Sequence, residues 1–275
     1  MIVLKEKMFK GSVDINYAES PDHGHPLLLL HGTMNRWQAF LRHIPEFTSR
    51  WHVYAKDFRG HGRSGRCEHY GYDFFYQDSI QFIEENIKKP TVVFGHSLGG
   101  RVALKLASER PKLVKAIILG DISLSDPVAS TRMGEFFGRM LPLLEADNSV
   151  NGLYKALKNW AGEEFDPVNT MNRAKSLSQV DPEFIRYLVN YGGDMESPYG
   201  HFTGYKPSEH LKKVDCPVLI LQAEKGMLRE EQVENALEIL PEAYAVKLMD
   251  MPHEFLTKDI SPVVDGVNAF LELIL

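Results

Sequence analysis

The chain has 275 residues, 44% of them apolar, which suits one large domain, or one domain carrying an insertion, with a full core. Its net charge of -6 comes with no basic block, which argues against nucleic acid as a partner. The two cysteines, Cys67 and Cys216, lie far apart and read as free thiols of a reducing compartment.

The first residues, Met1 to Lys7, are charged too early to hold a secretory apolar segment. No uninterrupted apolar stretch is long enough to span a bilayer. The expectation is a soluble cytoplasmic protein with no membrane partner.

Val13 to Tyr17 alternates like a half-exposed strand. Pro26 to Leu30 is a short apolar run ending at His31-Gly32, as expected of a strand buried on both faces. Trp51 to Ala55 is a weaker strand signal. From 73 to 88, Phe75, Ile80, Phe82, Ile83 and Ile87 recur at helical spacing and stop before Pro90. A strand follows at 91 to 94, then Gly95-His96-Ser97-Leu98-Gly99-Gly100, then a helix from Leu98 to Glu109 closed by Pro111. Further strands are expected at Val114 to Leu119, Val218 to Leu221 and Ala243 to Leu248, with helices at 230 to 239 and near 260 to 274.

This alternation implies an α/β fold: a mostly parallel sheet of the eight-stranded type, with helices on both faces. It breaks between about 123 and 213, where Met133, Phe136, Phe137, Met140, Leu141, Leu143, Leu144, Trp160, Phe184, Tyr187 and Leu188 occur with no strand-like run. The division expected is a core of 1–122 and 214–275, with a helical cap of 123–213 inserted after the sixth strand. The aromatic run Tyr70, Tyr72, Phe74, Phe75 and Tyr76 reads as packing.

Residues 95 to 99 form G-x-S-x-G between a strand and a helix, the context in which that motif carries meaning. A serine hydroxyl is a poor nucleophile at neutral pH, and a sharp turn with glycines around it leaves the oxygen clear of the chain. Such a serine needs a base, and the base needs an orienting partner. His253, in Met251-Pro252-His253-Glu254-Phe255, follows the last expected strand, at the sheet edge where ligands bind in open α/β sheets.

Leu30-His31-Gly32-Thr33, Asp57 to Gly65, Gly95 to Gly100 and Pro252-His253 occur in this order along nearly the whole chain. The chain thereby resembles the α/β-hydrolase fold superfamily, as a serine hydrolase with a cap domain. The resemblance implies an oxyanion hole made by the backbone amides of Thr33 and Leu98, the latter at a helix N-terminus whose dipole favours negative charge. The repeated glycines and the arginines Arg59 and Arg63 of the Asp57 to Gly65 segment suggest a tight structural loop pinned by hydrogen bonds. His96 should point away from Ser97 and pack or bond locally.

The family's usual aspartate follows the strand at 218 to 221, but Gly226 stands there, and a glycine cannot orient an imidazole. Two substitutes exist. Asp121 ends the preceding core strand, a position some relatives, notably haloalkane dehalogenases, use for their acid. Glu224 lies two residues before the gap. Asp121 is preferred, Glu224 is the alternative acid, and it stays open that neither serves.

Serine at the elbow argues against the aspartate-nucleophile chemistries of haloalkane dehalogenases and most epoxide hydrolases of this fold. The expected reaction is hydrolysis of an ester or related acyl bond of a small or medium apolar substrate through an acyl-enzyme, a carboxylesterase-like activity. Carbon–carbon bond hydrolysis, or a ligand receptor or signalling role with weak or no hydrolysis, are the alternatives. No cofactor and no metal site are expected. The partner is a small-molecule substrate admitted under the cap, and the oligomeric state is open.

Overall fold

A computed structural model describes residues 3–126, 131–161, 165–191 and 205–274, with the side chains of 131–134 and 191 outside the description. The cap position Met133 therefore has no described side chain. Eight strands form one sheet: β1 (Lys5–Lys10), β2 (Asp14–Glu19), β3 (His25–Leu30), β4 (Trp51–Lys56), β5 (Thr91–His96), β6 (Val114–Gly120), β7 (Val218–Lys225) and β8 (Ala243–Pro252). Their order is β1-β2-β4-β3-β5-β6-β7-β8. From β4 to β8 every neighbouring pair is parallel, and β2 runs antiparallel to both β1 and β4.

The central strands are covered on both faces, which is why they read as unbroken apolar runs. Leu27 to Leu30 of β3 are all fully buried. Successive side chains point to opposite faces, so Leu28 and Leu30 join one apolar cluster while Leu27 and Leu29 join the other. The first cluster lies under helices α2 (Tyr72–Gln81) and α3 (Leu98–Glu109); the second lies under the segment 37–47, which ends in the short helix α1 (Ile44–Phe47), and the last helix, α10 (Ser261–Leu273), while α9 (Glu230–Ile239) joins β7 to β8. The helical stretch expected over 73–88 is α2 continued to Ile87 by a wider turn, and it ends at Lys88 with φ +60° before Lys89-Pro90. Tyr70, Tyr72, Phe75 and Tyr76 are buried, whereas Phe74 is exposed beneath the Arg59 guanidinium.

The edge strand β1 has no counterpart in the sequence reading. Its residues Lys-Glu-Lys-Met-Phe-Lys are exposed but for one, so no buried face leaves an alternation in the pattern. It is held by backbone pairing to β2.

Between β6 and β7 the described residues form helices: α4 (Thr131–Ala146), α5 (Val150–Ala161), α6 (Pro167–Leu177), α7 (Pro182–Tyr191) and α8 (Pro207–Leu211). Asp166 caps α6, its Oδ1 accepting from the amides of Val168 and Asn169. Phe137, Met140, Leu144, Phe184 and Leu188 are buried, binding the insertion to itself and to the core. Phe136 and Trp160 remain exposed. Among the described residues no helix is long and apolar enough to cross a membrane, and no group of three side chains could hold a metal ion.

Candidate active site

The turn between β5 and α3 is built by close approach. A Cβ on Gly95 would lie 2.1 Å from the carbonyl oxygen of Gly99, and one on Gly99 would lie 2.1 Å from that of Leu30. Only glycines allow the helix to start this near the strands. The turn forces Ser97 to φ +52°, a region costly for a residue with a side chain. Its amide is tied to Gly120 O at the end of β6, 2.9 Å away.

Three side chains from distant parts of the chain meet here. His253, in the loop after β8, has Nε2 3.1 Å from Ser97 Oγ and Nδ1 2.6 Å from Asp121 Oδ2. The Asp121 carboxylate can only accept, so Nδ1 carries the proton, and in that tautomer Nε2 is the nitrogen whose lone pair faces the serine.

Asp121 follows β6 in a left-handed conformation, φ +46°, with its amide bonded to Leu221 O at 2.8 Å. It is fully buried. The loop after β7 wraps around it: Ala223 N donates to Oδ1 at 3.2 Å, Leu228 N to Oδ1 at 3.3 Å and Met227 N to Oδ2 at 2.9 Å. Burial pushes its carboxyl pKa up, but the bonds from His253 and the two amides of Met227 and Leu228 outweigh that and hold it below the usual value. Gly226 sits against this carboxylate, where a Cβ would fall 2.2 Å from Oδ2. Glu224 is turned elsewhere, accepting from the amide of Asp250 at 2.8 Å.

Leu98 follows the serine directly, and Thr33 follows Gly32 in the loop after β3. Leu98 is the first residue of α3, where backbone N–H groups have no partner within the helix. Gly32 presses the loop after β3 against the elbow: a Cβ there would be 3.2 Å from Ser97 Cβ and 2.9 Å from His96 Nδ1. Two buried histidines fix this loop. His31 Nδ1 donates to Gly32 O at 2.7 Å, and its Nε2 accepts from Phe58 N at 3.0 Å. His61 Nδ1 donates to Arg59 O at 2.9 Å, and its Nε2 accepts from Met34 N at 3.2 Å. Burial lowers both pKa values, His61 to about 4, so both rings are neutral at pH 7 and can accept at Nε2.

The Asp57 to Gly65 loop is the mate of that clamp. Asp57 accepts from Asn16 Nδ2, Trp37 N and Arg63 N at 2.7, 2.7 and 3.0 Å. Arg59 pairs with buried Asp78 through two bonds, Nε to Oδ2 at 2.7 Å and Nη2 to Oδ1 at 2.5 Å.

His96 makes a contact that neighbouring sequence does not signal. Its Nε2 donates to the backbone carbonyl of His253 at 2.8 Å, a bond spanning 157 positions rather than a local one. Burial keeps its pKa below the ordinary histidine value. Glu254, next to His253, is partly exposed. Burial would raise its pKa, but His96, Arg173 of α6, His253 and a bond from Asn35 Nδ2 at 3.2 Å lower it.

Residues 25–228 match a family model described as alpha/beta hydrolase fold. The chain is 25% identical over 275 aligned positions to Epoxide hydrolase 4 of Mus musculus, covering 94% of this chain and 76% of that protein. It is 30% identical over 207 positions to a Probable alcohol acetyltransferase of Wickerhamomyces anomalus, covering 71% of this chain and 58% of that one. A solved structure from a study of carboxylesterases of the thaumarchaeon Nitrososphaera gargenis superposes with a TM-score of 0.80 over 98% of both chains at 17% identity, a likeness of fold.

Proposed function

This chain belongs to the alpha/beta hydrolase fold family, and on that premise we propose that it is a serine hydrolase cleaving an ester or related acyl bond through an acyl-enzyme. The observation that carries the reading is the continuous relay of Ser97 Oγ, His253 and Asp121, with contacts of 3.1 Å and 2.6 Å. In this reading His253 Nε2 takes the Ser97 proton as Oγ attacks the substrate carbonyl. The oxygen that becomes negative faces the amides of Thr33 and Leu98, each contributing a few kcal/mol, about 3 by analogy with single oxyanion donors. His253 then gives the proton to the leaving alcohol. Water, activated by the same ring, attacks the acyl carbon and frees Ser97. Asp121 stays ionised, holding the tautomer and stabilising the transient imidazolium.

A hydroxyl at position 97 supports acyl transfer over epoxide opening. A carboxylate opening an epoxide forms an ester that water can cleave, whereas a serine would form an ether that it cannot. The family match supports a hydrolase generally; the ester substrate rests on Ser97.

The test is labelling by a fluorophosphonate and turnover of short p-nitrophenyl esters, in wild type and Ser97→Ala. Wild type should label stoichiometrically and release a burst of p-nitrophenol, and the variant should do neither. Equal behaviour of the two proteins would overturn the reading.

A further inference from the structure

A cleft of about 1090 Å³ runs between α5 and α6 on one side and the segments 35–42 and 254–258 on the other. It reaches Glu254 and Asn35, which adjoin His253 and the 31–34 loop in sequence. Five cations line it: Arg36, Arg42, Arg173, Lys175 and Lys258. Against them stand two carboxylates, Asp166 and Glu254. Among the described residues that line it the excess is three positive charges, in a chain whose net charge is -6. Asp166 is also committed to capping α6.

Arg42 donates from Nη1 to the carbonyl of Lys258 at 2.9 Å and interacts electrostatically with Asp259, but Arg36 and Arg173 are less engaged. Arg36 donates from Nη1 to Gln179 Oε1 at 3.0 Å, but its Nε is buried without a partner. The carboxylates near it are engaged: Asp57 as described above, and Glu6 by Asn16, Trp37 Nε1 and Arg63 at 2.9, 3.1 and 2.8 Å. Arg173 interacts electrostatically with Glu254 and, among the described residues, makes no hydrogen bond. Across the cleft, Phe136, Leu157 and Trp160 supply an apolar wall. A buried donor left unpaired costs free energy that a bound acceptor would recover.

We propose that this cleft binds the far, anionic end of the substrate, making the preferred substrate an amphiphilic ester that carries a carboxylate. Its carbon chain lies along Phe136, Leu157 and Trp160, and its carboxylate is held by Arg36 and Arg173. The inference rests on the serine-hydrolase reading for the reacting end, but anion binding itself does not require Ser97.

A matched pair of esters tests it: mono-p-nitrophenyl suberate, with a free carboxylate, and its neutral methyl ester. Wild type should favour the charged ester in kcat/KM by at least ~10-fold at low salt, a preference that shrinks as salt screens the charges. The ratio should fall toward one in Arg36→Gln and Arg173→Gln. Varying the diacid length reads the distance from Ser97 to the cations through the optimum. In parallel, suberate binding to Ser97→Ala is measured by calorimetry; it should be detectable, and lost in Ser97→Ala combined with Arg173→Gln. Hydrolysis of both esters at equal kcat/KM, or suberate binding untouched by Arg173→Gln, would overturn the anion site. Suberate binding that depends on Arg173, with neither ester hydrolysed, would uphold the site and overturn the hydrolase reading instead. Absence of both binding and charge preference would overturn the site whatever the activity.

Discussion

A Cβ on Gly226 would lie 2.2 Å from Oδ2 of Asp121, closer than any non-bonded neighbour could tolerate without movement. The glycine is thus the gap into which the carboxylate fits. Gly226→Ala should displace either the carboxylate or the loop, costing ~1–3 kcal/mol of stability by overpacking and ~10-fold or more in kcat. Gly226→Asp should be worse, since it sets a second carboxylate against the first and raises the pKa of one of them. Thermal unfolding and ester kinetics of both variants check this, and a fully active Gly226→Asp would contradict it.

The two carboxylates at this end of the sheet should separate cleanly on mutation. Asp121→Asn removes the negative charge facing His253 and offers Nδ1 an amide NH2 that favours the wrong tautomer, and kcat should drop by up to ~10⁴. Glu224→Gln alters only the partner of the Asp250 amide, and activity should stay within ~3-fold. Steady-state kinetics of the two variants decide the matter; a large loss from Glu224→Gln would remove Asp121 from the mechanism.

His96 is a positioning residue in this scheme, since it touches the carbonyl of His253 and not the reacting atoms. His96→Leu should lower kcat ~10-fold or more with KM little changed, because the base loses its anchor. His96→Gln, which restores an N–H donor, should recover part of the loss. A drop in KM and kcat together, unrelieved by glutamine, would mark His96 as a packing residue only.

Acid should weaken the fold well before the usual carboxylates titrate. Burial lowers the pKa of His43 and His61 to about 4 from an ordinary value of 6.5. Above pH 6.5 both folded and unfolded rings are neutral, and stability is at its full value. Between 6.5 and 4 the unfolded chain binds protons that the folded chain refuses, so stability falls as pH falls. At pH 5 the loss is ~2 kcal/mol for each ring. Urea unfolding at pH 7 and pH 5 measures it. Both ring nitrogens of His43 are buried without partners, so His43→Leu should remove that ring's share of the acid loss; an unchanged difference between the two pH values would refute the assignment.

The core strands and the elbow were legible because their signals are local. An unbroken apolar run marks a strand covered on both faces, and glycines at fixed offsets mark a helix leaving a strand at close range. β1 was not legible, since its exposed residues record only the backbone pairing that holds them. Nor could spacing decide between Asp121 and Glu224, which stand about a hundred residues apart at strand ends that come together only when β6 and β7 pair. His96 sat inside the most informative motif of the chain, yet its partner is 157 positions away. The cations of the cleft come from segments near 36, 42, 173, 175 and 258, so no window of sequence shows them as a group.

Asp121 lies one residue beyond the register pair Gly120↔Leu221, and the amides that hold its carboxylate begin two residues beyond the same pair. The helices between β6 and β7 therefore hang from two points that the sheet itself clamps together. Segments of other length or composition could be spliced between those points while the acid, the imidazole and the hydroxyl kept their places. Under the proposed function, recognition and proton transfer are thereby separable traits of one chain, and the helices can be remodelled for a new ligand without rebuilding the reaction centre.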